Sequence, residues 1–320
     1  MIRFRIFLFL IPLIVFIKAE DKQPYKLRIQ ADYVRVPLSV TDATGRFIPT
    51  VKAEDVSVFE DGQGRPIVNF VRDDGPVYAA LLIDGSTSLQ EELHEIKYSA
   101  HQFASFLTSR DRICVATFSS DVDLLQDWTN SKRKVDRSIG SIKVGFRTAL
   151  YDAIYAMTEE QFKNTDGKRA IILLTDGMEN DSRLSYEATR VAVLKDSVAI
   201  YIISKTRLLR SEIQKSSRVQ FLERVLRDLT GDGQDLVGEI LRKKERRMID
   251  LADVSGGRIY FADDLHDYRD LYRQVATELK QQYVLTYAPV SPKRDARQFK
   301  RIEVKTAIPD ARLVYRKGYF

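Results

Sequence analysis

The sequence predicts an α/β fold: a doubly wound, mostly parallel sheet between helices, flanked by β-rich segments at both ends. Three observations carry this prediction. Continuous apolar runs, VYAALLID (77–84), RAIILLTDG (169–177) and VAIYIIS (198–204), suit strands covered on both faces. From about residue 76 these runs alternate with helical patterns. Before and after that region, short alternating segments are separated by turn signals such as Thr44-Gly45 and Asp61-Gly62.

In chain order, residues 26–75 form an N-terminal β-rich segment, with YVRVPLSVTD and EDVSVFEDGQGRPIVNFV as its strands. Strand 77–84 leads into a helix whose Leu93, Ile96, Ala100, Phe103 and Leu107 share one face. ICVATFS then turns at Ser119-Ser120-Asp121 into a strand ending near Trp128, as in an antiparallel edge hairpin, and residues 129–131 offer caps for a short helix. Helices are expected from about Ala149 to Gln161 and from Tyr186 to Lys195. A stripe at Val219, Leu222, Val225, Leu226 and Leu229 is followed by a charged helix, RIYFA and a last helix carrying Tyr268, Leu271, Tyr272, Val275 and Leu279. The α/β unit thus covers 76–281. Residues 282–320 return to strands, QYVLTYAP, FKRIEVKTA and RLVYRKGYF, and are expected to pack with 26–75 as a small β-sandwich-like domain, a linker role being the alternative.

A chain of 320 residues that is 44% hydrophobic and 30% charged buries a full core. Arg3, Arg5 and the apolar run from Ile6 to Ile17 read as an export signal over residues 1–19. The run is short of the roughly 20 apolar residues that span a bilayer; because the site after Ile17-Lys18-Ala19 lacks the usual small residue two positions earlier, a short uncleaved anchor is the alternative to cleavage. Either way the expected location is secreted, periplasmic or cell envelope. The formal charge of +6 falls to about +3 without Arg3, Arg5 and Lys18, too small an excess to suggest a nucleic-acid binder. The run RKKERR (242–247) sits inside a helical pattern with Ile240, Leu241, Met248 and Leu251 and is read as the solvated face of that helix, and the single cysteine, Cys114, as a core residue.

The chemistry begins where the strands end. LLIDGSTS places Asp84, Ser86 and Ser88 at alternate positions, and LLTDG ends another buried strand in Asp176. Ligands of open parallel sheets bind at such carboxyl ends. Two buried carboxylates repel unless a cation lies between them, and an oxygen-only set completed by Thr148 suits Mg²⁺ with retained waters, Mn²⁺ or Ca²⁺ being alternatives. A turn and helix cap without metal is the plainer reading of DGSTS. Asp232 and Asp235 lack the spacing of a calcium loop, and ENDS (179–182) reads as a solvated rim.

DGSTS, Thr148 and the Asp176 of TDG, in this order of strands and helices, resemble the metal-ion-dependent adhesion site (MIDAS) of a von Willebrand factor A domain. VPLSVTDATGRF, SGGRIYF, QYVLTYAP and RKGYF resemble the VWFA-related family typical of Acidobacteria. The resemblance implies a Rossmann-like fold, hydroxyl ligands from Ser86, Ser88 and Thr148, and Asp84 and Asp176 binding directly or through water. It also implies a protein partner whose carboxylate completes the shell. Gly145-Phe146-Arg147 departs from the small residues usual before the threonine. Arg147 either weakens the metal or points outward and helps hold an acidic ligand.

The expected function is therefore an exported, non-enzymatic binding protein. The alternatives are a secreted metal-dependent hydrolase, for which the sequence offers neither GxSxG nor HExxH, and a metal-free assembly scaffold.

Overall fold

A computed structural model describes residues 33–87, 93–206, 236–262, 267–290 and 298–320. The export signal, Ser88, the stripe at 219–229, Asp232, Asp235 and the basic loop at 291–297 lie outside the described residues. Among those described, no helix is long and apolar enough to cross a membrane.

The central sheet has six strands: β5 (Val77–Asp84), β6 (Arg112–Phe118), β7 (Val122–Thr129), β8 (Lys168–Thr175), β9 (Ala199–Ser204) and β10 (Ile259–Phe261). Their order is β10-β9-β8-β5-β6-β7, parallel throughout except for β7, which pairs antiparallel with β6 at the edge. Side chains alternate between faces. Ala79, Leu81 and Ile83 therefore face one core, under α1 (Leu93–Phe106), α2 (Lys132–Gly140) and α6 (Asp267–Lys280). Ala80, Leu82 and Cys114 face the other, under α3 (Leu150–Ala156), α4 (Tyr186–Asp196) and α5 (Leu236–Ser255). Double coverage explains the unbroken apolar runs.

Two details differ from expectation. The helix predicted over 149–161 is α-helical only to Ala156 and continues as one π-helical turn, Met157–Gln161. There the Trp128 indole N–H donates to the Gln161 carbonyl at 2.9 Å, tying the turn to the edge strand. In α5, Leu241, Met248 and Leu251 are buried as expected, but Ile240 faces solvent.

The terminal segments interleave. β1 (Val34–Thr41), β4 (Ile67–Arg72), β11 (Tyr283–Tyr287) and β13 (Arg312–Tyr315) form one sheet in the order β13-β1-β11-β4. β2 (Val56–Glu60), β3 (Gln63–Arg65), β12 (Lys300–Thr306) and β14 (Gly318–Tyr319) form the other, in the order β14-β12-β2-β3. Val34, Val36, Leu38 and Val40 meet Val58, Leu285, Ile302 and Val304 in a shared core. The two ends of the chain thus build one sandwich around the inserted α/β unit.

The C-terminal RKGYF stretch joins sandwich to α/β unit. Arg316 donates to the Arg35 carbonyl at 2.8 Å and to the Ser197 hydroxyl at the end of α4. The Lys317 N–H donates to the Val254 carbonyl in α5 at 3.0 Å. The Tyr319 hydroxyl donates at 2.8 Å to Glu60, a carboxylate fully buried in the sandwich.

Candidate functional site

Strand register brings the predicted residues to one rim. In the β5–β8 ladder Ile83 lies opposite Leu174, so Asp84 is level with Thr175 and Asp176 one residue beyond. Asp84 is fully buried and Asp176 is 1% exposed. The Thr175 hydroxyl donates to Asp84 Oδ2 at 2.7 Å, and the Ser86 N–H to Oδ1 at 2.9 Å. Burial first, and the nearby Asp176 charge second, push the Asp84 carboxyl up to about 7, against the pull of those hydrogen bonds. Asp176 Oδ1 accepts the Met178 N–H at 2.8 Å, while its buried Oδ2 has no hydrogen-bond partner among the described residues.

The hydroxyl side arrives on two loops that cross closely. Ser86 is buried and bridges Gly145, whose N–H donates to the Gly85 carbonyl at 2.7 Å. Both crossings exclude larger residues. A Cβ on Gly85 would lie 2.9 Å from the Lys143 carbonyl, and one on Gly145 only 2.5 Å from Ser119 Cβ. Thr148, 2% exposed, is fixed from both sides: the Asn180 side-chain oxygen accepts its N–H at 3.0 Å, and the next N–H, of Ala149, donates to the Ser119 carbonyl at 2.7 Å. The structure thus gathers Asp84, Ser86, Thr148 and Asp176. Ser88 is the one predicted residue it does not describe.

Arg147 is 65% exposed and pairs with Asp181. Its charge is directed into the neighbouring loop.

Several residues that position the site escape a reading by motif. Thr175 precedes the Asp176 singled out, yet its hydroxyl is what holds Asp84, and it also accepts the Gly177 N–H at 3.0 Å. Glu179 corrects the expectation of a solvated rim at 179–182. Its Oε2 accepts the Leu150 N–H at 2.7 Å and the Ser182 hydroxyl at 2.7 Å, and its Oε1 accepts the Ser182 N–H at 2.8 Å. It acts as the missing cap of α3, because Ala149 at the cap position has no side-chain acceptor. The signal available in the sequence was that surplus of N–H groups at the helix start, with no clue to where the acceptor would come from.

The basic run of α5 is likewise only partly a solvated face. Arg242, Lys243 and Arg246 are exposed, but Lys244 turns inward and donates to the Glu179 carbonyl at 3.2 Å. Arg247 lies over the Tyr186 ring, 5.3 Å from its centroid. One turn beyond Lys244, Met248 packs on Gly177 so tightly that a Cβ there would lie 2.4 Å from the methionine methyl. Met248 is buried, so α5 approaches the sheet at that point and carries Lys244 with it. Burial lowers the Lys244 ammonium, and the Asp176 and Glu179 charges oppose that shift.

The residues present fit a divalent cation. A buried carboxylate oxygen without a partner, a second carboxylate strained by its neighbour's charge, and two buried hydroxyl residues form a hard oxygen set. The clustered groups are oxygen donors, and among the described residues no three or more His, Cys, Asp or Glu side chains gather to hold a metal by themselves. Any cation here therefore depends on the hydroxyls as much as on the acids.

Residues 79–179 match the family model described as the von Willebrand factor type A domain, so the chain contains such a domain. Among solved structures, similar chains include proximal thread matrix protein 1 from the mussel byssus, at 15% identity and a TM-score of 0.48, covering 76% of this chain and 50% of that one. Another crystal of that mussel protein, with a zinc-occupied MIDAS motif, is 16% identical with a TM-score of 0.49, covering 69% of this chain and 49% of that one. A von Willebrand factor type A protein from Catenulispora acidiphila is 10% identical, with a TM-score of 0.49, covering 91% of this chain and 74% of that one. The chain spans about half the length of the mussel protein. No curated protein matches it in sequence.

Proposed function

We propose that this von Willebrand factor type A domain serves an exported binding protein, in which Asp84, Ser86, Ser88, Thr148 and Asp176 hold a divalent cation and a partner protein's carboxylate completes its shell. The observation that carries this reading is the buried pair Asp84 and Asp176 at adjacent strand ends, one oxygen of which has no partner among the described residues. The cation relieves the repulsion between the two carboxylates and offers the partner's acid a Lewis-acidic contact. Mg²⁺ is the proposed ion, because an oxygen-only set of modest charge suits a small cation that keeps some waters.

The chain acts as a binder and not as an enzyme. Among the described residues, acids of the adjoining loops are committed to structure: Glu179 caps α3, Asp181 pairs with Arg147, and Asp152 accepts the Arg183 and Leu184 N–H groups at 3.0 and 2.9 Å. A hydrolytic reading needs a base free to take a proton from metal-bound water. Export rests on the apolar N-terminal run that follows Arg3 and Arg5.

The test is Mn²⁺ titration of the full chain by calorimetry, with Asp84→Ala beside it. The expected result is a single binding event in the natural chain, lost in a variant that keeps its far-ultraviolet dichroism. A folded variant that binds Mn²⁺ as tightly as the natural chain overturns the assignment.

A further inference from the structure

The loop that delivers Thr148 also presents Phe146, which at 89% exposure is the most exposed large hydrophobic side chain among the described residues. Val144, 37% exposed, lies on the same loop. A phenylalanine standing in water is unremarked on a floppy loop, but this one is held at both ends. Gly145 is bonded to Gly85 and bridged to Ser86, Ala149 is bonded to Ser119, Thr148 to Asn180, and Arg147 is paired with Asp181. An exposed aromatic ring on a backbone fixed at both ends gives up only its own two side-chain torsions on binding, a small cost that suits an interface anchor.

Its place relative to the cation site constrains what it meets. Phe146 lies two residues before Thr148, so their Cα atoms are no more than about 7 Å apart. That is the span of two residues in an extended partner strand. An acid seated on the cation therefore leaves a residue one or two positions away within reach of Phe146.

We propose that the partner is an acidic peptide segment with an apolar side chain within two positions of its cation-binding carboxylate, and that Phe146 is the anchor for that apolar side chain. This rests on the cation-site reading above. The charge fits: the Arg147 charge is matched by Asp181, and the loop's exposed Lys143 favours an acidic segment over a basic one.

The experiment selects cyclic peptides with one fixed central Asp and random flanks on the full chain in Mg²⁺, with EDTA as the counter-selection. Recovered peptides should carry Leu, Ile, Phe, Met or Val within two positions of the Asp, and should lose binding on Asp→Asn. Phe146→Ala should weaken them roughly tenfold and Phe146→Leu much less, with Mn²⁺ affinity unchanged in both. Metal-dependent peptides with polar flanks, or peptides indifferent to Phe146→Ala, overturn the inference while leaving the cation site standing. So does a Mn²⁺-loaded chain that selects no Asp-dependent peptide, or one whose Phe146 drives self-association in light scattering. Absence of Mn²⁺ binding overturns the proposed function itself, and this inference with it.

Discussion

Asp84 is a carboxylate that the fold removes from water and then bonds through Thr175 and Ser86. Its pH dependence follows. The folded group titrates at about 7 against an ordinary 3.8, so the folded state keeps its proton longer than the unfolded chain. Between those values the unfolded state binds fewer protons, and stability falls as pH rises. In cation-free buffer the full cost above pH 7 is about 4 kcal/mol at most. Urea unfolding in EDTA should show the natural chain losing stability between pH 5 and pH 8, and Asp84→Asn losing far less. Parallel profiles would contradict the burial argument. Adding Mg²⁺ at pH 8 should restore the natural chain and leave Asp84→Asn unchanged. Much of this was legible: Asp84 and Asp176 each end an apolar strand, and strand ends converge. Thr175 was not, since a threonine in a strand is ordinary until register puts its hydroxyl beside a buried acid.

At the scale of the element, α3 depends on a residue outside itself. Removing the Glu179 carboxylate leaves the Leu150 N–H without its acceptor, while the Tyr151 N–H keeps the Ser182 hydroxyl oxygen at 3.0 Å, and loosens the segment that carries Thr148. Glu179→Ala should cost about 1–2 kcal/mol in urea unfolding and also weaken Mn²⁺ binding, while Glu179→Gln, which keeps an acceptor oxygen, should recover part of both. Equal losses in both variants would show that charge, not capping, is what Glu179 supplies. A similar trans-element cap sits at the other end of the sheet. Asp111 accepts the Val77 N–H at 2.9 Å and pairs with Lys280 at the end of α6. Burial pushes its carboxyl up, but Lys280, the Val77 N–H and Thr108 outweigh it and hold it at about 2. That stability is present above about pH 4 and lost as pH falls through 2. Asp111→Asn should therefore destabilise by about 1–2 kcal/mol at pH 7, after allowance for solvent screening, with the difference closing toward pH 2. Strands and helices were legible from hydrophobic period, because double coverage writes itself as apolar runs. Which loop caps which helix was not, because that depends on contacts across about thirty positions, as between Leu150 and Glu179.

At the scale of the molecule, the sandwich is built from segments on both sides of the α/β unit, so β1 finds its partner β13 only after the α/β unit between them is made. Similar turn-rich texture at the two ends suggested they pack together, whereas the interleaved strand order β13-β1-β11-β4 had no counterpart in the sequence. Arg316 is the seam, 7% exposed and bonded to Arg35 in the sandwich and Ser197 in the α/β unit. Arg316→Ala should lower stability by about 2–4 kcal/mol, since it strips a buried charged donor from two acceptors. Mn²⁺ affinity should be unaffected, because the seam lies at the opposite end of β9 from the candidate site. A loss below about 0.5 kcal/mol would mean that Arg316 is not what holds the two parts together.

The central claim is that Asp84, Ser86, Thr148 and Asp176 converge on one divalent cation. Crystals grown with Mn²⁺ and recorded at the manganese absorption edge test it most directly. A single strong anomalous peak is expected among those four side chains, absent from crystals of Asp84→Ala. No peak there, or a peak that persists without Asp84, would contradict it.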